Sequence, residues 1–266
     1  MGGGPTPDRF DLVWRKIDRA KEHIGALEAA IDSFRQTQPF TVITEDDHSG
    51  PDRLQARIDG KPKPIPSDVA LALGDAVHNL RTSLDYFACA VVPTVGNDTG
   101  FPISRRRQQT AHDRNSLVGS KMNGCTKPLR AAVLALRPEP GGAEEYLWSL
   151  NELDVVDKHR LLLTVGLAYR SFTFDAAAML RGLADFTKDL PPAPLSLRPA
   201  DRYPVDENAV LFRAPRDFFE KTGGVTFNFE AAFGEPQTLQ GKPLVPTLHE
   251  LVGNVEGLLQ TLAPLA

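Results

Sequence analysis

Proline decides where long elements can lie in this chain. Twenty-two prolines are spread through 266 residues, and proline is excluded from helix interiors and central strands because it lacks an N–H and fixes φ. Long regular elements are confined to the proline-free windows 8–38, 67–92, 103–127 and 141–190, with shorter ones at 216–235 and 247–263. Only 61–66 and 191–204 are linker-like clusters. One compact domain over 1–266 is therefore expected, with a helical core of about 6–165. A β-hairpin insertion is expected at about 39–60, and a β-rich portion with a closing helix over about 166–266.

The first window is periodic. Phe10, Val13, Ile17, Ala20, Ile24, Leu27, Ile31 and Phe34 alternate spacings of three and four, which predicts a long helix with a coiled-coil-like seam. Thr6-Pro7 supplies an N-cap and an N1 proline. Such a seam suits a homo-oligomer through the N-terminal helix. The pattern then changes to Phe40–Thr44 and Arg53–Asp59 around a turn at Asp46–Pro51, a hairpin. Ser67 caps a second helix carrying Val69, Leu73, Val77, Leu80, Leu84, Phe87 and Val91.

Further helices are predicted at Leu129–Leu136, Ala143–Thr164 and Pro246–Leu262, and strands at Ala168–Asp175, Val210–Arg213 and Val225–Glu230. Pro191–Pro204 reads as a loop. The class is α+β: a long-helix bundle core of three long helices plus a C-terminal helix, with a small antiparallel β-sheet.

Composition narrows the function classes. A formal charge of −4 gives no whole-chain attraction to nucleic acid, and no apolar run reaches the ~18 residues of a membrane-spanning helix. Cys89 and Cys125 lie in no CxxC or Cys/His neighbourhood, so neither a disulfide framework, structural zinc nor another cofactor is expected. The start lacks the basic and apolar regions of a signal peptide. It matches the loose Gly2-x-x-x-Thr6 lipidation pattern without a supporting basic cluster. A cytoplasmic, membrane-free protein is expected.

One spot is chemically odd. Leu147, Leu150, Asp154, Asp157 and Leu161 follow the three-four rhythm, so two carboxylates occupy core positions of a leucine seam. A buried carboxylate needs partners or a proton. On the second helix His78, Arg81 and Asp85 form one stripe, where Arg81 and His78 can meet Asp154 and Asp157 if the helices lie side by side. Lys158, His159 and Arg160 point elsewhere on the wheel. Three readings are open: a buried ionic network fixing helix register, a catalytic or ligand site, or a metal site from Asp75-x-x-His78 and Asp154-x-x-Asp157. The Glu-x-x-His motif of di-metal bundles is absent, and no metal is expected.

The stretches Leu73–Asp85, Phe101-Pro102-Ile103 and Asn151–Arg160 resemble a bacterial protein family of uncharacterised function, over roughly residues 10–165. The shared motifs are His78-Asn79-Leu80-Arg81-x-x-Leu84-Asp85 and Asp154-x-x-Asp157-Lys158-His159-Arg160. More distantly, the Arg-bearing helix is similar to HEPN-type helical domains, many of them metal-independent ribonucleases that carry an arginine and a histidine a few residues apart. Arg81 stands at that arginine, but Tyr86 stands where the histidine would be, and a phenol is a weak base at neutral pH.

The resemblance implies RNA as substrate or partner. Residues 101–130 hold seven basic side chains against Asp113 alone, and Arg105, Arg106 and Arg107 are the phosphate-binding candidates. The contrary reading is a solvated basic helix without aromatic residues for base stacking. In the first functional reading the protein is a structural or interaction module whose Arg/His/Asp cluster is an interhelical network. The alternative is an HEPN-like ribonuclease or RNA-binding protein, with His78 or His159 moving protons, Arg81 meeting phosphorane charge, and Asp85, Asp154 and Asp157 completing the site.

Overall fold

A long helix, α1, runs over Asp11–Gln36 and buries Val13, Ile17, Ala20, Ile24, Leu27, Ile31 and Phe34. The computed structural model describes residues 9–108, 110–160, 165–181, 192–197, 203–222, 224–236 and 238–266. The expected cap at Thr6-Pro7 lies outside them. Helix α2 (Ser67–Val91) packs antiparallel on α1: Phe10 stacks on Phe87 at 5.4 Å, and Lys16 Nζ donates to Asn79 Oδ1 at 3.0 Å. Ser67 does not cap α2. It is already the first helical residue, Pro66 holds the N-cap place with extended backbone, and no side chain caps the end.

Two short helices, α3 (Ala111–Lys121) and α4 (Lys127–Leu136), follow, each opened by a threonine. Thr110 and Asp113 form a reciprocal capping box, and Thr126 Oγ1 accepts from Leu129 N–H. Helix α5 (Glu145–Arg160) buries Leu147, Leu150 and Leu153; Leu161 and Thr164, expected to extend it, lie outside the described residues.

Beyond α5, among the described residues, the β part contains two helices, α6 (Ala176–Leu180) and α7 (Arg216–Thr222), and α8 (Leu244–Leu262) follows. Lys21 Nζ reaches Glu256 Oε1 at 2.5 Å, tying α8 to α1. The α1 seam is thus covered from within by α2 and α8, in one core with Leu147, Leu150 and Leu153. That removes the seam as a surface for a second copy.

Among the described residues there are six strands: β1 (Val42–Asp46), β2 (Arg53–Ile58), β3 (Val165–Asp175), β4 (Pro194–Leu197), β5 (Val210–Pro215) and β6 (Thr226–Phe233). They make two antiparallel sheets, ordered β1-β2-β5 and β4-β3-β6, where one small sheet was expected. The 39–60 hairpin forms as predicted, but β2 also carries β5 on its other edge, so this segment is stitched to the C-terminal third. Strand β4 falls inside the stretch read as a loop; Pro194 opens an edge strand, a position that needs no ladder N–H.

A second core joins the two sheets. Ile58 and Leu211 from one meet Tyr169, Phe172, Phe174 and Phe229 from the other, with Phe172 4.2 Å from Phe212. The class is α+β, and among the described residues no helix is long and apolar enough to cross a membrane.

Candidate functional site

Helix α5 lies antiparallel to α2, and that register decides which polar residues meet. His78 faces Asp154: Nδ1 donates to Asp154 Oδ1 at 2.9 Å, and Lys158 Nζ donates to the other oxygen at 2.5 Å. The Asp154 side chain is 6% exposed, those of His78 and Lys158 about half. Three residues forward on α2 corresponds to three residues back on α5. Arg81 therefore meets Asn151, Nε to Oδ1 at 3.0 Å, instead of Asp154 or Asp157. Its Nη1 donates to Asp85 Oδ1 at 2.7 Å, and the same oxygen accepts from Phe101 N–H at 2.9 Å. The Phe101-Pro102-Ile103 stretch is thereby pinned to the Arg81 stripe.

Lys158 corrects the wheel reading. It stands one turn from Asp154, and its four-carbon stem reaches back along the helix face. The His159 side chain lies outside the described residues.

Asp157 is placed differently from Asp154. It is half-buried against Gly74, where a β-carbon would stand 2.3 Å from its Oδ1. The expected partners do not come: among the described residues no hydrogen bond reaches it. Burial raises its pKa, and the nearby Asp154 and Asp75 carboxylates raise it further, against the pull of His78 and Lys158. A carboxyl whose pKa is higher folded than unfolded weakens the fold as pH rises through its titration range; the loss is absent below the unfolded pKa. Asp157→Asn should therefore be more stable than wild type in urea unfolding at pH 7, with the gain closing near pH 3. A variant less stable at pH 7 would show that the carboxylate has a partner.

The basic segment is partly structural. Arg105, Arg106 and Arg107 are exposed and bond none of the α2/α5 cluster. The loop that carries them is anchored by buried Glu139, whose Oε2 accepts from Gln108 N–H at 2.9 Å. Arg114 Nη1 donates to Gln108 O at 3.0 Å and lies 3.8 Å from Glu139 Oε1. Arg130 Nη2 donates to Asn115 O, joining α4 to α3. Two of the seven cations expected to attract phosphate thus hold protein groups.

Among the described residues no cluster of three or more His, Cys, Asp or Glu could hold a metal ion. Asp75 turns towards His23, at 3.7 Å, and Asp154 binds His78. A cleft of about 840 Å3 lies elsewhere, between the end of α1 and the β3–β6 pair. Sequence reasoning missed it because Phe34 and Phe229 are far apart in the chain and each reads as an ordinary core residue. No family model matches the chain, and neither the curated proteins nor the solved structures contain a detectable relative.

Proposed function

We propose that this chain is a non-catalytic structural or interaction module, built on a bundle of α1, α2, α5 and α8, in which the His78, Arg81 and Asp154 residues fix the register of two helices. The observation that carries this reading is Asp154: it is buried, and both its oxygens accept from protein side chains. Arg81 likewise directs Nε and Nη1 at Asn151 and Asp85, leaving less of its fork for a phosphate. Tyr86, at the histidine place of the ribonuclease pattern, is 38% exposed with Lys16 Nζ 5.7 Å from its ring centre.

A double-mutant cycle tests the reading. His78→Ala, Asp154→Ala and the double variant, compared by urea unfolding, should give a coupling of about 1 kcal/mol, set below the buried-pair range because His78 is half-exposed. Purified protein incubated with labelled RNA should leave it intact. Additivity of the two changes, together with RNA cleavage that Arg81→Ala abolishes, would replace the module by the ribonuclease.

A further inference from the structure

Among the described strands β6 lies at the edge of the order β4-β3-β6, and on its outer side a single bridge, Ala232 to Pro243, covers its C-terminal end. Backbone groups on a strand alternate sides, so one outward bond fixes the pattern. Phe229 C=O accepts from Arg35 Nη2 at 3.3 Å on the side of α1. Phe233, four residues on, bonds Lys242 O and Gly241 N on that outer side. Period two therefore turns the N–H and C=O of Phe227, Phe229 and Ala231 outward. At the far end of this stretch Ala232 bridges Pro243, a pairing that occupies the Ala231 carbonyl. Among the described residues Arg35 is the one side chain that bonds the remainder, and the N–H groups of Phe227, Phe229 and Ala231 stay open.

That edge lines the 840 Å3 cleft. Its opposite wall is the last turns of α1 and the segment leading into β1, with Ile31, Phe34, Phe40 and Phe227 as apolar lining. A strand added to a sheet lies about 4.8 Å from its neighbour. Here the gap between β6 and α1 is bridged by one long arginine side chain. Cleft charge is uneven as well. Arg170 Nε is matched by Glu230 at 3.0 Å, whereas the acid nearest Arg35 is Asp32, 3.5 Å away and 67% exposed outside the cleft.

We propose that the α1/β6 cleft binds an extended peptide of another protein, one that adds a strand to β6, sets apolar side chains against Phe34 and Phe40, and presents a carboxylate to Arg35. A peptide N–H takes Phe229 C=O from Arg35, and the released guanidinium turns to the carboxylate. Main-chain pairing supplies affinity, and the apolar lining and Arg35 supply sequence preference. Until then Arg35 occupies an edge carbonyl, which keeps the strand from pairing with itself. The site is separate from the α2/α5 network, and its failure would leave that network's role standing.

Selection from a random dodecapeptide display library against the full chain tests it. Enriched peptides should combine alternating apolar residues with Asp or Glu. A synthetic copy N-methylated at alternate amides should bind at least tenfold more weakly in one of the two registers. Ala231→Pro, which deletes one outward N–H and leaves the β3 ladder intact, should also weaken binding at least tenfold. With Arg35→Glu the selected acid should give way to Lys or Arg.

No enrichment, or binding indifferent to both N-methylation registers, overturns the proposal even if Ala231→Pro fails to fold. So does sedimentation showing a dimer that Ala231→Pro dissolves, since the occupant is then a second copy.

Discussion

Arg81→Ala is expected to lower stability by about 3 kcal/mol, the low end of the range for breaking a buried ion pair. Its side chain is 12% exposed and satisfies Asn151 on α5 and Asp85 on α2 at once. Truncation removes both bonds and the packing of the aliphatic stem. The low end applies because Asp85, 40% exposed, can recover water. Arg81→Lys should recover less than half the loss, since an ammonium cannot reproduce a fork that reaches two acceptors. Urea unfolding with linear extrapolation measures both. A loss below about 0.5 kcal/mol would return Arg81 to the catalytic candidates, because a residue held ready for substrate contributes little to the fold and its removal is often neutral or stabilising.

The contrast between Arg81 and Asp154 shows how far the sequence carries. The three-four rhythm of α1 and α2 is a local property, so the helices and their buried faces were legible from Phe10 to Phe34 and from Val69 to Val91. Carboxylates at 154 and 157 were also visible, as breaks in a leucine rhythm. What pairs with them is not local. The relative register of α2 and α5 is set by the whole connection between them and by Gly74, whose missing side chain leaves room for Asp157.

One turn of register is the difference between Arg81 meeting Asp154 and Arg81 meeting Asn151. The sheets fail for the same reason on a larger scale. Strand β2 pairs with β5 across about 150 residues, and the phenylalanines that join the sheets carry no sign of which neighbour they will find. The α1/β6 cleft was invisible because its walls, Phe34 on α1 and Phe229 on β6, come from distant parts of the chain.

Gly142→Ala should be more damaging still, costing about 4 kcal/mol. A β-carbon at 142 would stand 1.9 Å from the Arg137 carbonyl oxygen and 2.9 Å from that of Glu139. Both are backbone atoms, so no rotamer relieves the clash and the turn itself must open. The turn is closed by Glu139 N–H to Arg137 O at 2.9 Å, Gly142 N–H to Glu139 O at 2.8 Å and Glu144 N–H to Leu136 O at 3.0 Å. Overpacking costs roughly 1–3 kcal/mol, and losing a hydrogen bond to a buried charged group about 1.5–3.

Both losses occur here, because an opened turn withdraws Glu139 from Gln108. The arginine loop should then loosen before the rest of the chain. Limited trypsin digestion should cut after Arg105, Arg106 or Arg107 faster in the variant, at urea concentrations where the far-ultraviolet signal is still native. A stability change under about 1 kcal/mol with unaltered cleavage would mean that the loop is held by something other than Glu139.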